Sequence, residues 1–284
     1  MSLSLLLWWL CSALHAGSWS VVEQAETEIG GKRWEVFTLQ AGSDRGKVWM
    51  YTPPELRQSG VMLGLPGWKF PARLWEDRAQ VSAHADSIGV RVALADMHTT
   101  VYESAFFPQS RSDRKWCGTQ CTTPGLRWVG QIVLPFVRGQ AGELRGLFGL
   151  STGGRGAVLV GQHYREVRRV CAMSGTFALM QLTPETGEYK IHANIYGSRA
   201  AHPDRWVADD SVSHPASLAH LSALLIHGDK DQAVPAAQSE ALVRAMTEVG
   251  ATVTLHAVSG GGHDWTLWSG HLRRCLDHLV EAEE

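Results

Sequence analysis

The sequence predicts an α/β fold: a mostly parallel, doubly wound sheet with helices on both faces, opened by an N-terminal antiparallel hairpin. Three observations carry that expectation. Short Val-, Leu- and Ala-rich runs recur between Gly, Pro and Asp residues. Several are apolar without alternation, the pattern of strands buried on both faces, and amphipathic helical patterns separate them. The 284 residues, 44% hydrophobic with a formal net charge of -2, are too apolar for a disordered chain. Their charges are scattered and nearly balanced, so nucleic acid is not an expected partner.

Taken in order, residues 3–16 are almost purely apolar, and no charged side chain precedes Glu23. About fourteen apolar residues are too few to span a hydrocarbon core of roughly 30 Å as a helix. Ala16, Gly17 and Ser18 offer a small-residue cleavage point before Trp19. Residues 1–18 are therefore expected to be a signal peptide of an exported protein, periplasmic or secreted, with an N-terminal membrane anchor as the alternative. No stable membrane span is expected. Leu10 precedes Cys11 where a lipid-attachment signal carries a small residue, so Cys11 is not read as lipidated. Residues 19–284 are expected to form one domain.

The alternating WEVFTL and KVWMY within 26–51 read as the antiparallel hairpin. Further strands are expected at 61–65, 90–95, 145–150, 170–173, 223–227 and 252–257, and helices at 74–87, 125–138, 153–164, 235–249 and 267–281. Two stretches break this alternation, 97–123 and 174–222. They read as inserted loops at the carboxyl ends of parallel strands, where such sheets bind ligands. Cys117 and Cys121 are expected to form a disulfide, because a zinc site needs a second Cys or His pair that is missing nearby. Cys171 and Cys275 lie in the apolar segments RRVCAM and LRRCLDHL and read as buried thiols, with their pairing left open.

Chemistry concentrates in three places. Gly149-Leu150-Ser151-Thr152-Gly153 follows the apolar run LRGLFGL and opens a helical pattern. This G-x-S-x-G turn exposes Ser151 as a nucleophile and aims the Thr152 N–H at a developing oxyanion. A serine needs a base and an orienting acid, later in the chain in the order acid then His. Asp231, in the H-G-x-x-D-x-x-V-P turn after the strand ending at Gly228, is the acid; Asp229 is the competitor. His263, in the glycine-rich loop Ser259-Gly260-Gly261-Gly262-His263, is the base. The second oxyanion donor is expected from Leu65-Pro66-Gly67-Trp68, as the Trp68 N–H; the alternative is a plain turn with a packed aromatic.

These residues resemble the α/β-hydrolase superfamily, and within it the esterase D-like and dienelactone-hydrolase-like esterases, over residues 48–280. The motifs are G-L-S-T-G, H-G-D-K-D-Q-A-V-P and G-G-H-D; Asn194-Ile195-Tyr196-Gly197, Trp206 and Ser213-His214-Pro215 are similar more weakly to the segment before the acid-bearing strand. The resemblance implies an α/β-hydrolase fold and an acyl-serine mechanism with Ser151, His263 and Asp231. Two departures stand out: Pro66-Gly67 replaces the usual His-Gly, and Leu150 precedes the serine where His or Tyr is common. Ser at the nucleophile position sets aside the thiol chemistry of dienelactone hydrolases.

The expected activity is hydrolysis of a carboxylic ester on a small-molecule ester or acyl substrate, with no metal or organic cofactor. Acyl transfer and peptide hydrolysis use the same triad, and a non-catalytic binding module is the alternative from another class. Trp116, Phe106 and Tyr196 are the candidate substrate-loop residues. Arg155, just after the elbow, is a candidate for meeting an anionic substrate.

Overall fold

Among the described residues, 18–281 of a computed structural model, nine strands pair into one sheet. The expected signal peptide lies outside them except for Ser18. The strands are β1 (Trp19–Ile29), β2 (Lys32–Ala41), β3 (Asp44–Tyr51), β4 (Val61–Leu65), β5 (Arg91–Ala95), β6 (Leu144–Leu150), β7 (Arg169–Met173), β8 (Ser222–Gly228) and β9 (Thr252–Val258). Their order is β1-β2-β3-β5-β4-β6-β7-β8-β9. The pairings from β5 through β9 are parallel, whereas β1, β2 and β3 form an antiparallel meander joined to β5. The expected hairpin thus gains an outer strand, β1, whose residues are mostly exposed and therefore show no burial pattern.

Helices cover both faces. Those labelled α1 (Leu74–Ala79), α2 (Val81–Ile88) and α9 (Trp265–Val280) pack against Met62, Val92, Phe148 and Ile226. Opposite them, α3 (Gly125–Trp128), α4 (Leu134–Ala141), α5 (Thr152–His163) and α8 (Ala237–Glu248) cover Leu63, Ala93, Leu147 and Leu225. The central strand β4 is buried at all five residues, as its unalternating VMLGL demands. Each such aliphatic side chain contributes about 1.5–3 kcal/mol on burial. Among the described residues no helix is long and apolar enough to cross a membrane.

Two expected helices are interrupted. Gln80, at φ 47°, separates α1 from α2, and the buried Glu76 carboxylate caps the second by accepting from Ser82 N–H at 2.9 Å and Ser82 Oγ–H at 2.8 Å. Between α3 and α4 the chain makes a π-helical turn over Val129–Val133. The 97–123 stretch carries one 3-10 turn, Ser112–Arg114, while 174–222 holds α6 (Gly187–Tyr196) and α7 (Pro203–Ala208) around a small apolar cluster of Val101, Leu179, Ile195 and Trp206.

The cysteines pair in two bridges. Cys117 and Cys121 are bonded as expected, with Cα atoms 5.2 Å apart, and Asp44 anchors the loop by accepting from the N–H groups of Thr122 and Thr123. Asp44 lies beside both sulfurs, but the disulfide leaves no thiolate to ligate a metal. Cys171 and Cys275 are also a disulfide, which corrects the reading of both as thiols. Packing of α9 across β7 brings their Cα atoms to 5.5 Å, a span that a disulfide closes.

Candidate active site

Strand β6 ends at Leu150, and the chain turns directly into α5 through Ser151, held at φ 53° and ψ -125°. That left-handed backbone conformation is rare for a residue with a side chain, and its cost persists only where the surroundings enforce it. Here Ser151 N–H donates to Met173 O of β7 at 2.8 Å. The flanking glycines are steric necessities: a Cβ at Gly149 would stand 2.1 Å from Gly153 O, and one at Gly153 would stand 2.2 Å from Leu65 O. The turn thus presents Oγ at the carboxyl edge of the sheet, with Ser151 8% exposed.

Asp231 follows β8 in a tight turn in which Oδ1 accepts from the N–H groups of Ala233 and Val234 at 2.9 and 2.8 Å. His263 follows β9 in the glycine-rich loop. The two loops are stitched together by Asp229 N–H to Val258 O at 3.1 Å and Lys230 N–H to Gly261 O at 2.9 Å. Asp229 itself accepts from Gly260 N–H at 2.8 Å, so it braces the loop and leaves the acid position to Asp231.

The three groups meet in line. His263 Nδ1 is 2.7 Å from Asp231 Oδ2, and His263 Nε2 is 3.0 Å from Ser151 Oγ. Burial by itself would raise the Asp231 carboxyl; hydrogen bonds from His227 and His263, the charge of His263 and the Val234 N–H outweigh it and hold the group well below the usual carboxylate range. Trp268 of α9 stands edge-on to His263, 5.0 Å between ring centres, and is fixed by Nε1–H donating to Ser174 Oγ at 3.2 Å.

Beside the serine runs the loop after β4. A Cβ on Gly67 would lie 3.3 Å from Ser151 Cβ, so the backbone passes close to the nucleophile. The loop is pinned by Lys69 N–H to His98 O at 2.7 Å, Phe70 N–H to Gly67 O at 3.0 Å and Tyr102 Oη–H to Pro66 O at 2.9 Å. Among the described residues Trp68 N–H has no hydrogen-bond partner. Thr152 N–H sits in the first turn of α5, where a helix leaves its N–H groups free.

Two of the three substrate-loop candidates, Trp116 and Tyr196, are packed into the interior. Trp116 is buried, its ring 4.4 Å from that of Trp128 and its Nε1–H donated to Thr123 O at 2.6 Å. Tyr196 is fully buried, donating its hydroxyl to Asp209 at 2.7 Å. Phe106 is half-buried under Lys115 Nζ at 4.5 Å. Arg155 is 1% exposed and meets no solvent-borne anion: its guanidinium donates to Val101 O, to Tyr196 Oη at 3.2 Å and to Asp209 O at 2.9 Å. Asp209 also accepts from Ser104 N–H at 2.9 Å. Arg155 therefore ties α5 to both inserted segments. No local pattern announces this network, nor the pinning role of Tyr102, because their partners lie tens of residues away. A solvent-open cavity of about 390 Å³ lined by Arg45, His98, Lys115 and Trp116 contains no triad residue.

Residues 143–280 match the model of the prolyl oligopeptidase family. Among solved structures, a ferulic acid esterase is 18% identical, with 86% of this chain and 96% of that chain covered and a TM-score of 0.63. An S-formylglutathione hydrolase from Agrobacterium tumefaciens is 17% identical, covering 91% of this chain and 98% of that one at a TM-score of 0.68. The acylaminoacyl peptidase of Pyrococcus horikoshii is 11% identical at a TM-score of 0.63, with 91% of this chain but only 40% of that chain covered. No curated protein matches the sequence. At these identities the likeness establishes the α/β-hydrolase fold, and on it Ser151, His263 and Asp231 are brought together in a Ser-His-Asp line.

Proposed function

We propose that this protein cleaves a carboxylic ester of a small molecule through an acyl-serine intermediate. The observation that carries the reading is the unbroken line from Asp231 Oδ2 through His263 to Ser151 Oγ, at 2.7 and 3.0 Å. In this mechanism Oγ attacks the acyl carbon while His263 Nε2 takes its proton. Asp231 holds the ring in the tautomer with Nδ1–H and stabilises the imidazolium that forms. The tetrahedral oxyanion is received by the N–H groups of Thr152 and Trp68, each worth roughly 2.7–4 kcal/mol of barrier where such donors are deleted. His263 then protonates the departing alcohol, and water activated by the same imidazole releases the acid and restores the serine.

The esterase reading is favoured by the ferulic acid esterase and S-formylglutathione hydrolase, which match along nearly their whole lengths. Peptide hydrolysis is the second reading, favoured by the prolyl oligopeptidase family match over 143–280. The two disulfides suit an oxidising compartment, and we place the protein among exported ones.

Fluorophosphonate labelling and p-nitrophenyl acetate turnover test the reading, with p-nitroanilide peptides run in parallel. Wild type is expected to label and turn over the ester, and Ser151→Ala and His263→Ala to lose on the order of 10⁴-fold or more in kcat. A folded wild type that neither labels nor turns over ends the hydrolase reading; faster peptide cleavage than ester cleavage moves the assignment to a peptidase.

A further inference from the structure

The hydrogen bonds behind the triad do not stop at Asp231. His227, the last residue of β8 before Gly228, is 1% exposed and lies between α8 and the turn that carries the acid. Its Nδ1 is 2.7 Å from Ser239 Oγ, and its Nε2 is 2.9 Å from Val234 O. The same Nε2 is 3.4 Å from Asp231 Oδ2, the oxygen that also faces His263 Nδ1. A carbonyl oxygen can only accept, so Val234 O requires a proton on Nε2. That proton stands between two acceptors, and the longer distance to Asp231 makes a weaker second arm of a three-centre bond. Asp231 Oδ1 is already engaged by the turn, so Oδ2 is shared between the two imidazoles.

We propose that His227 is a positioning residue for the reaction: it holds Asp231 Oδ2 in line with His263 and disperses part of its charge, in a series running Ser239, His227, Asp231, His263, Ser151. This rests on the serine-hydrolase reading above. Glu188 of α6 feels the charges of His263, Arg155 and Asp231. Of the charged neighbours in the chain, Asp229 accepts from Gly260 N–H, Asp264 accepts from Thr266 and Leu267 N–H, and Lys230 is exposed. None of these side chains donates a hydrogen bond to Asp231, which leaves His227 as the side chain that balances the acid from behind. Removing its N–H has two consequences. The carboxylate loses a restraint on its rotation, and its less dispersed charge attracts the His263 imidazolium more strongly.

Asn and Gln separate the two ends of the ring. His227→Asn keeps a polar group near Ser239 and none near Asp231, whereas His227→Gln places an N–H donor close to the former Nε2. In p-nitrophenyl acetate turnover from about pH 5 to 9, His227→Asn is expected to lower kcat on the order of tenfold. It should also move the acid limb of kcat/KM upward by about half a unit, and His227→Gln should recover most of both. The limb does not depend on how much of the sample is folded, so lost packing alone leaves it in place. An unmoved limb or wild-type kcat in His227→Asn, or a His227→Gln as impaired as His227→Asn, overturns the proposal while an active wild type and an inert Ser151→Ala keep the triad standing. An inert wild type overturns the hydrolase reading and the role of His227 together.

Discussion

On the two flanks of the Ser151 elbow, different forces hold the chain. Toward β7, β8 and β9, the acid and the base ride on short turns backed by apolar packing: α9 buries Leu267, Trp268, Leu272 and Leu276, and the Cys171–Cys275 bond ties it to β7. Toward the inserted segments, Arg155, Tyr196 and Asp209 join through buried polar contacts that no solvent replaces. Apolar packing loses stability in small steps when it is altered, whereas a buried polar network fails as a unit once one member leaves its partners unpaired. The helix that backs the reacting groups is therefore held by contacts that fail gradually, and the segments beside them depend on a few exact pairings.

Breaking the first flank should have the largest effect. Cys171 and Cys275 are 104 residues apart, and opening a ring of that size releases about 5 kcal/mol of unfolded-chain entropy. Guanidinium unfolding of Cys171→Ser/Cys275→Ser should show that loss, against about 2 kcal/mol for Cys117→Ser/Cys121→Ser, which are 4 residues apart. Equal losses would mean that the long bridge adds nothing to the apolar clamp. On the second flank, Arg155→Met leaves Val101 O, Asp209 O and the Tyr196 hydroxyl without their donor and should cost about 3 kcal/mol in urea. In the molecules that fold, KM for bulky esters should rise while kcat for p-nitrophenyl acetate changes little. A proportional fall in kcat for both would erase the division between the flanks.

The smallest effect concerns the anchor of the Cys117 loop. Burial works against the Asp44 carboxylate, but its bonds from Thr123 and Thr122 outweigh this and lower its folded pKa below the ordinary value. A lowered carboxyl contributes stability that is complete above its unfolded pKa of about 3.9 and disappears as pH falls through the folded value. Asp44→Asn should therefore cost about 1–2 kcal/mol at pH 7, with the gap to wild type narrowing below about pH 4. A constant gap from neutral to acid pH would assign the anchor to shape alone.

Much of the first flank was legible from residue order. The strands β4 to β8 are short apolar runs, and the glycines of G-L-S-T-G stand where backbone meets backbone, as Gly228 does against Gly261 O. What escaped has a common cause in distance along the chain or in missing side-chain contrast. Strand β1 buries almost nothing and so has no pattern to read. Gln80 breaks a helix without Gly or Pro to signal it. Trp116 on its loop and Tyr196 at the end of α6 are aromatics in inserted segments, a composition that fits a substrate wall and a packed interior equally well; their direction is set by Trp128 and Asp209. Cys171 and Cys275 looked like two separate apolar positions until α9 lay across β7.

The unequal spans of the two disulfides also matter while the chain is being made. At about 5–20 residues per second, Cys171 is synthesised roughly 5–20 s before its partner, whereas Cys121 follows Cys117 within about a second. The local bond can close before the distant one has a partner to choose. Early closure removes two thiols from the pool that could capture Cys171, so the order of emergence itself favours the native pairing and leaves Cys275 with one remaining match among these four.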